Sequence, residues 1–199
     1  MVYIPQQQIL TRLRRYKALN KTRLQRALSL MHPEARFCLS MVPVLLHYNH
    51  INLPGYRQGY IPHGIDLFVP NEEQSRYLHE MILPDSPPLE EPQEHAILGL
   101  YAMGSTSSLG QSDSSDVDIW VCVKANISPD GMTALQNKCR FITSYVKAQG
   151  VELNLFVTPE DRSTNFTPDS LDEENCGSAQ NMFLLDEFYR SSIRLCGRY

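Results

Sequence analysis

The sequence predicts an α/β fold, a small mixed sheet flanked by helices, with a helical segment at the N-terminus. Three short apolar runs predict strands, because each has the length and composition of a buried or alternating strand. They span residues 96–103, 116–123 and 151–157. Residues 6–30 instead repeat apolar side chains every three or four positions, as an amphipathic helix does. Residues 130–149 form a further helix, which ends at the following glycine.

The first 83 residues are predicted to be the helical N-terminal segment. Its first helix, over residues 6–30, is strongly basic, and Asn20 marks a kink or a break in it. A basic helix can contact nucleic acid, an acidic partner or a triphosphate. A solvated face on a packing helix is the more common explanation for such a pattern. A second helix covers residues 33–48, with an interruption at Pro43.

The region between this segment and the predicted sheet is rich in turn signals. Residues 65–69 are a short strand candidate, and Asn71 is expected to cap a helix over residues 71–82. The stretch 84–94 is acidic and rich in proline, which predicts an exposed linker. We therefore expect a linker between the helical segment and a core domain over residues 95–199.

The C-terminal part of that core follows the third predicted strand. Residues 158–177 are predicted to form a polar loop, and residues 178–196 a final helix. In that helix Arg190 and Arg194 are four positions apart and should share one face.

Composition excludes several classes of protein. With 199 residues, of which 42% are hydrophobic and 20% charged, the chain has the composition of a globular protein with a full core. A net charge of −4 argues against a dedicated nucleic-acid binder. Five cysteines without a C-x-x-C pair indicate reduced thiols. No apolar run is long enough for a spanning helix and the N-terminus lacks a signal-peptide pattern, so a cytoplasmic location is expected.

The most informative stretch joins a Gly-Ser pair to two aspartates. The apolar run 96–103 leads into Gly104-Ser105, and Asp116 and Asp118 stand at the entry of the next predicted strand. Because residues two apart in a strand project from the same face, the two carboxylates should point together. We expect them to lie in one cleft beside the Gly104-Ser105 turn.

Two carboxylates this close repel each other unless a cation lies between them. A hard divalent ion such as Mg²⁺, held by one or two carboxylates and by substrate phosphates, removes that repulsion. The Gly-Ser turn offers backbone N–H groups and a hydroxyl that suit phosphate oxygens. Asp-x-Asp alone is more often an ordinary strand entry than a metal site, so the strand–turn–loop–strand context carries the interpretation.

In this context the motif resembles the signature of the DNA polymerase beta-like nucleotidyltransferase superfamily, in which Gly-Ser precedes a strand bearing Asp-x-Asp. A wider match extends over nearly the whole chain and resembles the class I adenylate cyclases of gamma-proteobacteria. The segments that carry it are residues 45–48, 54–56, 104–112, 114–122, 176–178 and 184–190.

The resemblance implies cyclisation of ATP to 3′,5′-cyclic AMP and pyrophosphate, by attack of the ribose 3′-hydroxyl on the α-phosphorus. Two Mg²⁺ ions, with Mn²⁺ as an alternative, would assist the displacement. Asp116 and Asp118 would be the catalytic and metal-binding carboxylates. The superfamily also implies a third carboxylate on a neighbouring strand, and Glu152 is the only acid in the strand predicted there.

The resemblance also implies residues that bind the triphosphate. Gly104 and Ser105 would hold phosphate oxygens, and a basic residue such as Arg190 or Lys124 would neutralise charge. Asp113 is a departure, because it adds an acid to the loop that the family pattern does not require.

The resembling enzymes are much longer, and a carrier protein of the sugar phosphotransferase system regulates them. The chain is therefore expected to be the beginning of the catalytic region, and the isolated chain is expected to bind nucleotide weakly or to be inactive. Two alternatives stay open. One is a nucleotidyltransferase that acts on a separate hydroxyl acceptor, such as a small molecule or an RNA end. The other is a non-catalytic regulatory domain of the same fold.

Overall fold

A computed structural model describes residues 5–107, 115–160 and 186–199 of the chain. The helices named below are α1 (Gln6–Leu30), α2 (Pro33–His47), α3 (Glu72–Met81), α4 (Gly104–Ser107) and α5 (Pro129–Ala148). The strands are β1 (Ile97–Met103), β2 (Val117–Val123), β3 (Leu153–Pro159) and β4 (Ile193–Gly197).

A four-stranded mixed sheet with the order β3-β2-β1-β4 organises the fold. β1 is antiparallel to both β2 and β4, whereas β2 and β3 are parallel. A parallel pair needs a long crossover between its strands, and α5 supplies it. The predicted α/β class and the three predicted strands are confirmed, although the third strand begins two residues later than predicted.

The core lies on one face of the sheet. Every second side chain of β2 is buried on that face, as the alternating sequence predicts. Helix α5 packs on β3 and on α2, and α2 contributes a nearly continuous set of buried side chains. These residues and the sheet form one hydrophobic cluster, so α2 and α3 of the N-terminal segment share a core with the strands.

Helix α1 is continuous, so the predicted break at Asn20 is wrong, and a kink there stays a prediction. The polar side chain is explained by tertiary contact instead. Asn20 is buried; its Nδ2 donates to the backbone carbonyl of Arg194 at 2.9 Å, and its Oδ1 accepts from the backbone N–H of Arg194 at 2.7 Å. A single amide thus anchors the helix to β4.

The helices after α1 follow the prediction closely. Helix α2 runs through Pro43 without a break, so the predicted interruption at Pro43 is wrong. Asn71 caps α3 in a reciprocal arrangement, in which its side chain accepts from the backbone of Gln74 and the Gln74 side chain accepts from the backbone of Asn71. The strand candidate at residues 65–69 is wrong, because it makes a single bridge between Ile65 and Ile97 and then turns. Leu67 has a φ of 55°, which ends an extended strand.

The predicted helix over residues 178–196 is confirmed at residues 186–191 and wrong at residues 192–196. Residues 186–191 are helical, but residues 193–197 form β4, and residues 178–185 lie outside the described part of the chain. Pairing with β1 overrides the helical pattern, because it satisfies the backbone groups along the free edge of that strand. Arg190 and Arg194 therefore do not share a helix face.

The acidic proline-rich stretch is attached to the second helix. The Tyr48 hydroxyl donates to Glu91 Oε1 at 2.8 Å, and His50 Nε2 lies 2.7 Å from the carbonyl oxygen of Pro87. Burial lowers the pKa of the nearby His47, whose Nδ1 accepts from the backbone N–H of Ile65 at 2.9 Å. No helix in the described ranges is long and apolar enough to cross a membrane.

Candidate functional site

Asp118 lies on the face of β2 opposite the core and is half-buried. Its neighbours across the sheet are Met103 on β1 and Asn154 on β3. Asn154 Nδ2 donates to Asp118 Oδ1 at 2.9 Å. The carboxylate is thus held by a side chain from the parallel strand.

Gly104 lies beside the other oxygen of the Asp118 carboxylate. It follows β1 directly and has a φ of 59°, in the left-handed region that favours glycine. A Cβ at this position would lie 3.0 Å from Asp118 Oδ2. Gly104 therefore satisfies two requirements at once, the turn after β1 and the space for the Asp118 carboxylate.

The Gly-Ser turn is tied to the entry of β2. Ser105 Oγ donates to the backbone carbonyl of Asp116 at 3.2 Å. Asp116 is exposed and stands directly before β2, and strand alternation places it on the same face as Asp118. The structure therefore brings the backbone of Asp116 and the carboxylate of Asp118 to the Gly104-Ser105 turn, and a shared cleft for the two carboxylates stays a prediction. Asp113 lies outside the described residues.

Glu152 stands one residue before β3 and is exposed. Its backbone carbonyl accepts from the N–H of Val117 at 2.9 Å, which brings it level with Asp116, and alternation gives it the same face as Asn154. Across residues 5–107, 115–160 and 186–199, no three His, Cys, Asp or Glu side chains are grouped so that they could hold a metal ion. The residue that contacts Asp118 from β3 is Asn154, and the role of Glu152 stays a prediction.

The basic candidates have other contacts. Arg190 lies on an exposed helical turn, where its Nε is 2.8 Å from Asp186 Oδ1. Lys124 directly follows β2, at the opposite end of the strand from Asp118, and its backbone N–H donates to the carbonyl of Ala96 at 3.0 Å. These contacts do not identify either residue as a ligand of the triphosphate.

An aromatic surface continues from Asp118 along the same face of the sheet. Trp120 stacks on Phe188 with ring centroids 5.0 Å apart and an interplanar angle of 19°, and Tyr101 meets Phe188 edge-on. A cavity of about 220 Å³ opens beside these rings and extends to Cys122. Burial raises the pKa of the Cys122 thiol to about 12, which keeps it protonated at neutral pH. The motif did not predict this surface, although Trp120 has the same parity along β2 as Asp118.

The donor atoms at Asp116 and Asp118 are hard carboxylate oxygens, the ligand type that Mg²⁺ prefers. The absence of a side chain on Gly104 leaves room beside Asp118 Oδ2 that any other residue would fill. A divalent cation and anionic phosphate oxygens fit this donor set and this opening.

Comparison with known proteins identifies the family of the chain. The family model described as "Adenylate cyclase NT domain" matches residues 8–199. Adenylate cyclases from Shigella flexneri and from Escherichia coli strain K12 are 44% and 43% identical to the chain over 186 residues, which are 92% of the chain. The adenylate cyclase of Salmonella typhimurium strain LT2 is 43% identical over 189 residues. The matched region makes up 22% of the length of these relatives. The chain belongs to the family of adenylate cyclase N-terminal domains.

Proposed function

We propose that the chain is the ATP-handling N-terminal part of an adenylate cyclase, which converts ATP to 3′,5′-cyclic AMP and pyrophosphate. The observation that carries this proposal is the placement of Asp116 and Asp118 beside the Gly104-Ser105 turn, in a domain whose relatives are named adenylate cyclase. The chain spans about a fifth of the length of those relatives, so the activity is proposed for the longer polypeptide.

The two aspartates hold divalent cations in this proposal, with Glu152 as the candidate third ligand. Two bound Mg²⁺ ions, or Mn²⁺, would supply Lewis-acid stabilisation of the attacking and leaving oxygens of an in-line displacement. Asp118 is suited to a fixed role because Asn154 and Gly104 limit its side-chain orientation. Asp116 is more exposed, and in this proposal it reaches the cations from the entry of β2.

The Gly104-Ser105 turn is proposed to receive the phosphates of ATP. The backbone N–H groups of the turn are the donors that phosphate oxygens need, while the single O–H of Ser105 holds the turn against the Asp116 carbonyl. The turn is attached to the Asp116 backbone, so phosphate and carboxylate positions are linked through one hydrogen bond. Arg190 is the basic candidate for the triphosphate. Its contact with Asp186 is exposed on both sides, and such a pair is weak enough to exchange partners.

Several broader properties go with this proposal. The strand–turn–strand arrangement, with aspartates at the entry of β2, supports a nucleotidyltransferase-like core over residues 95–199. The helical segment 1–83 and the linker 84–94 would precede it. A cytoplasmic location, no nucleic-acid partner and regulation by a sugar phosphotransferase carrier protein are proposed from the family resemblance.

A product analysis tests the proposal. The full-length polypeptide that contains this chain is incubated with ATP and Mg²⁺, and the products are separated by chromatography and identified by mass. Cyclic AMP and pyrophosphate in equal amounts are expected. A nucleotidyltransferase would instead need an added hydroxyl acceptor and would yield an adenylylated acceptor. A non-catalytic domain would leave ATP unchanged, and either of these results would contradict the cyclase proposal.

A further inference from the structure

We propose that Asn154 is a positioning residue for the cation site, and that its amide orients the Asp118 carboxylate for the ion and the substrate. The inference rests on the proposed function and adds to it a residue from β3. The geometry behind it is a 2.9 Å hydrogen bond from Asn154 Nδ2 to Asp118 Oδ1.

The register of the sheet places the Asp118 and Asn154 side chains next to each other. Asp118 and Asn154 are direct partners across the parallel pair β2–β3, and both strands are regular on either side of them. Asp118 is in turn the direct partner of Met103, which precedes Gly104. A carboxylate from the central strand therefore lies between an amide on one neighbouring strand and a glycine turn that follows the other.

The chemistry of the pair fixes the orientation of the amide. An ionised carboxylate can only accept hydrogen bonds, so the amide must present its NH₂ group to Asp118. The bond occupies one side of Oδ1 and leaves Oδ2 beside Gly104, where a Cβ would lie 3.0 Å away. The two oxygens of Asp118 thus have different surroundings, and the oxygen that faces the Gly104 turn is the one available for a cation.

The contact contributes little to folding, because Asn154 is exposed and an exposed hydrogen bond exchanges with water. Its effect is on the direction of the carboxylate. Residues that hydrogen-bond a metal ligand typically change metal affinity or activity by about 10-fold to 100-fold when they are replaced. Removal of the Asn154 amide should therefore affect cation binding far more than stability.

Asn154→Ala and Asn154→Asp test the inference in the 199-residue chain, with Mn²⁺ binding measured by electron paramagnetic resonance. Asn154→Ala removes the donor, whereas Asn154→Asp keeps the size of the side chain and replaces the donor by an acceptor. Both should weaken Mn²⁺ binding by about 10-fold or more and leave the melting temperature of the metal-free chain unchanged. Asn137→Ala is the matched control, since Asn137 is an amide on α5 that contacts Arg140 at the surface. It should bind Mn²⁺ as the wild type does.

The aspartate variant separates positioning from direct ligation. If the residue at this position served the ion through an oxygen, Asn154→Asp would bind Mn²⁺ as tightly as the wild type or more tightly. That result would overturn the inference, as would wild-type affinity in Asn154→Ala or a wild-type chain that takes up no Mn²⁺. A loss of melting temperature with unchanged Mn²⁺ affinity would show that Asn154 serves only the fold, which also contradicts the inference.

The full-length enzyme supplies a second readout. Asn154→Ala should lower kcat and raise the Mg²⁺ concentration needed for half-maximal activity, with a smaller change in the KM for ATP. If the wild-type enzyme makes no cyclic AMP while the Mn²⁺ results hold, the proposed function fails and the role of Asn154 stands. If cyclic AMP is made and Asn154→Ala has normal kcat and Mg²⁺ dependence, the role of Asn154 fails alone.

Discussion

Asp116 and Asp118 are the residues on which the proposed chemistry depends. Asp116→Asn and Asp118→Asn each remove one charge at nearly constant shape, so each should abolish cyclase activity of the full-length enzyme. Loss of a charge also relieves repulsion between the two carboxylates, so the metal-free melting temperature should hold or rise. Rates of cyclic AMP formation and thermal unfolding curves measure the two effects. Substantial turnover in either variant would rule out the proposed role of that aspartate in metal-assisted catalysis.

Lys138 is a residue whose ionisation should affect stability. It is completely buried on α5, where its Nζ donates to the carbonyl of Tyr48 at 2.9 Å, and burial lowers its pKa from 10.5 to about 8. The unfolded chain therefore binds this proton more tightly than the folded chain does. Between pH 8 and 10.5 the folded chain loses the buried charge while the unfolded chain still holds its proton. The free energy of unfolding therefore rises with pH in this range.

Lys138→Met should remove this pH dependence. The free energy of unfolding of the wild type, relative to the variant, is expected to rise by at most about 3 kcal/mol between about pH 8 and about pH 10.5. Urea unfolding at several pH values measures the difference. Lys147→Met, on the exposed face of the same helix, should show a difference that does not change with pH. If the difference between the wild type and Lys138→Met also stayed constant with pH, folding would not lower the pKa of Lys138.

The residues of the site differ in how far the sequence could predict them. The turn at Gly104 and the shared face of Asp116 and Asp118 follow from local rules of backbone conformation and strand alternation. The contact of Asn154 with Asp118 does not, because it requires the parallel register of two strands separated by α5. Strand alternation gave Glu152 and Asn154 the same face, but only the register shows which of them meets Asp118.

At the scale of elements, Asn20 links α1 to an edge strand. Its amide makes two hydrogen bonds to the backbone of Arg194, as a neighbouring strand would. Asn20→Ala leaves two partly buried backbone groups without these partners, which should lower the free energy of unfolding by about 2 kcal/mol. Hydrogen exchange at the Arg194 amide should become faster.

Gln25→Ala is the control for this prediction, because Gln25 is exposed on the same helix. A surface change of this kind is expected to alter stability by less than about 0.5 kcal/mol. If the two alanine variants unfold with the same free energy, Asn20 does not anchor β4.

β4 shows why the helices were predicted better than this C-terminal strand. Helices α1, α2, α3 and α5 are set by apolar spacing and by caps within one segment, and their bounds agree with the prediction within one or two residues. β4 is set by β1, a strand about 95 positions earlier. A Cβ at Gly197 would lie 2.3 Å from the Cα of Gly99, so the two strands meet through glycines. The local sequence around Gly197 does not indicate this contact with Gly99.

At the scale of the whole molecule, the separation into a helical segment and a core domain stays a prediction. The hydrophobic cluster includes Leu45 and Leu46 of α2 together with Leu135 of α5 and Val121 of β2. Burial of this kind depends on how the helices pack on the sheet, which the periodicity of each element does not encode. The side chains of the site lie on the opposite face of the sheet from this core.

On this opposite face we expect a divalent cation between Asp116 and Asp118, beside the Gly104 turn. The most direct measurement is a crystal structure of the protein grown with Mn²⁺ and a non-hydrolysable ATP analogue, with the ion located by its anomalous scattering. We predict an anomalous peak within coordination distance of both carboxylates, about 2.2 Å, with phosphate oxygens of the analogue completing its ligands. A bound analogue whose ion lies away from both aspartates would contradict this position of the cation.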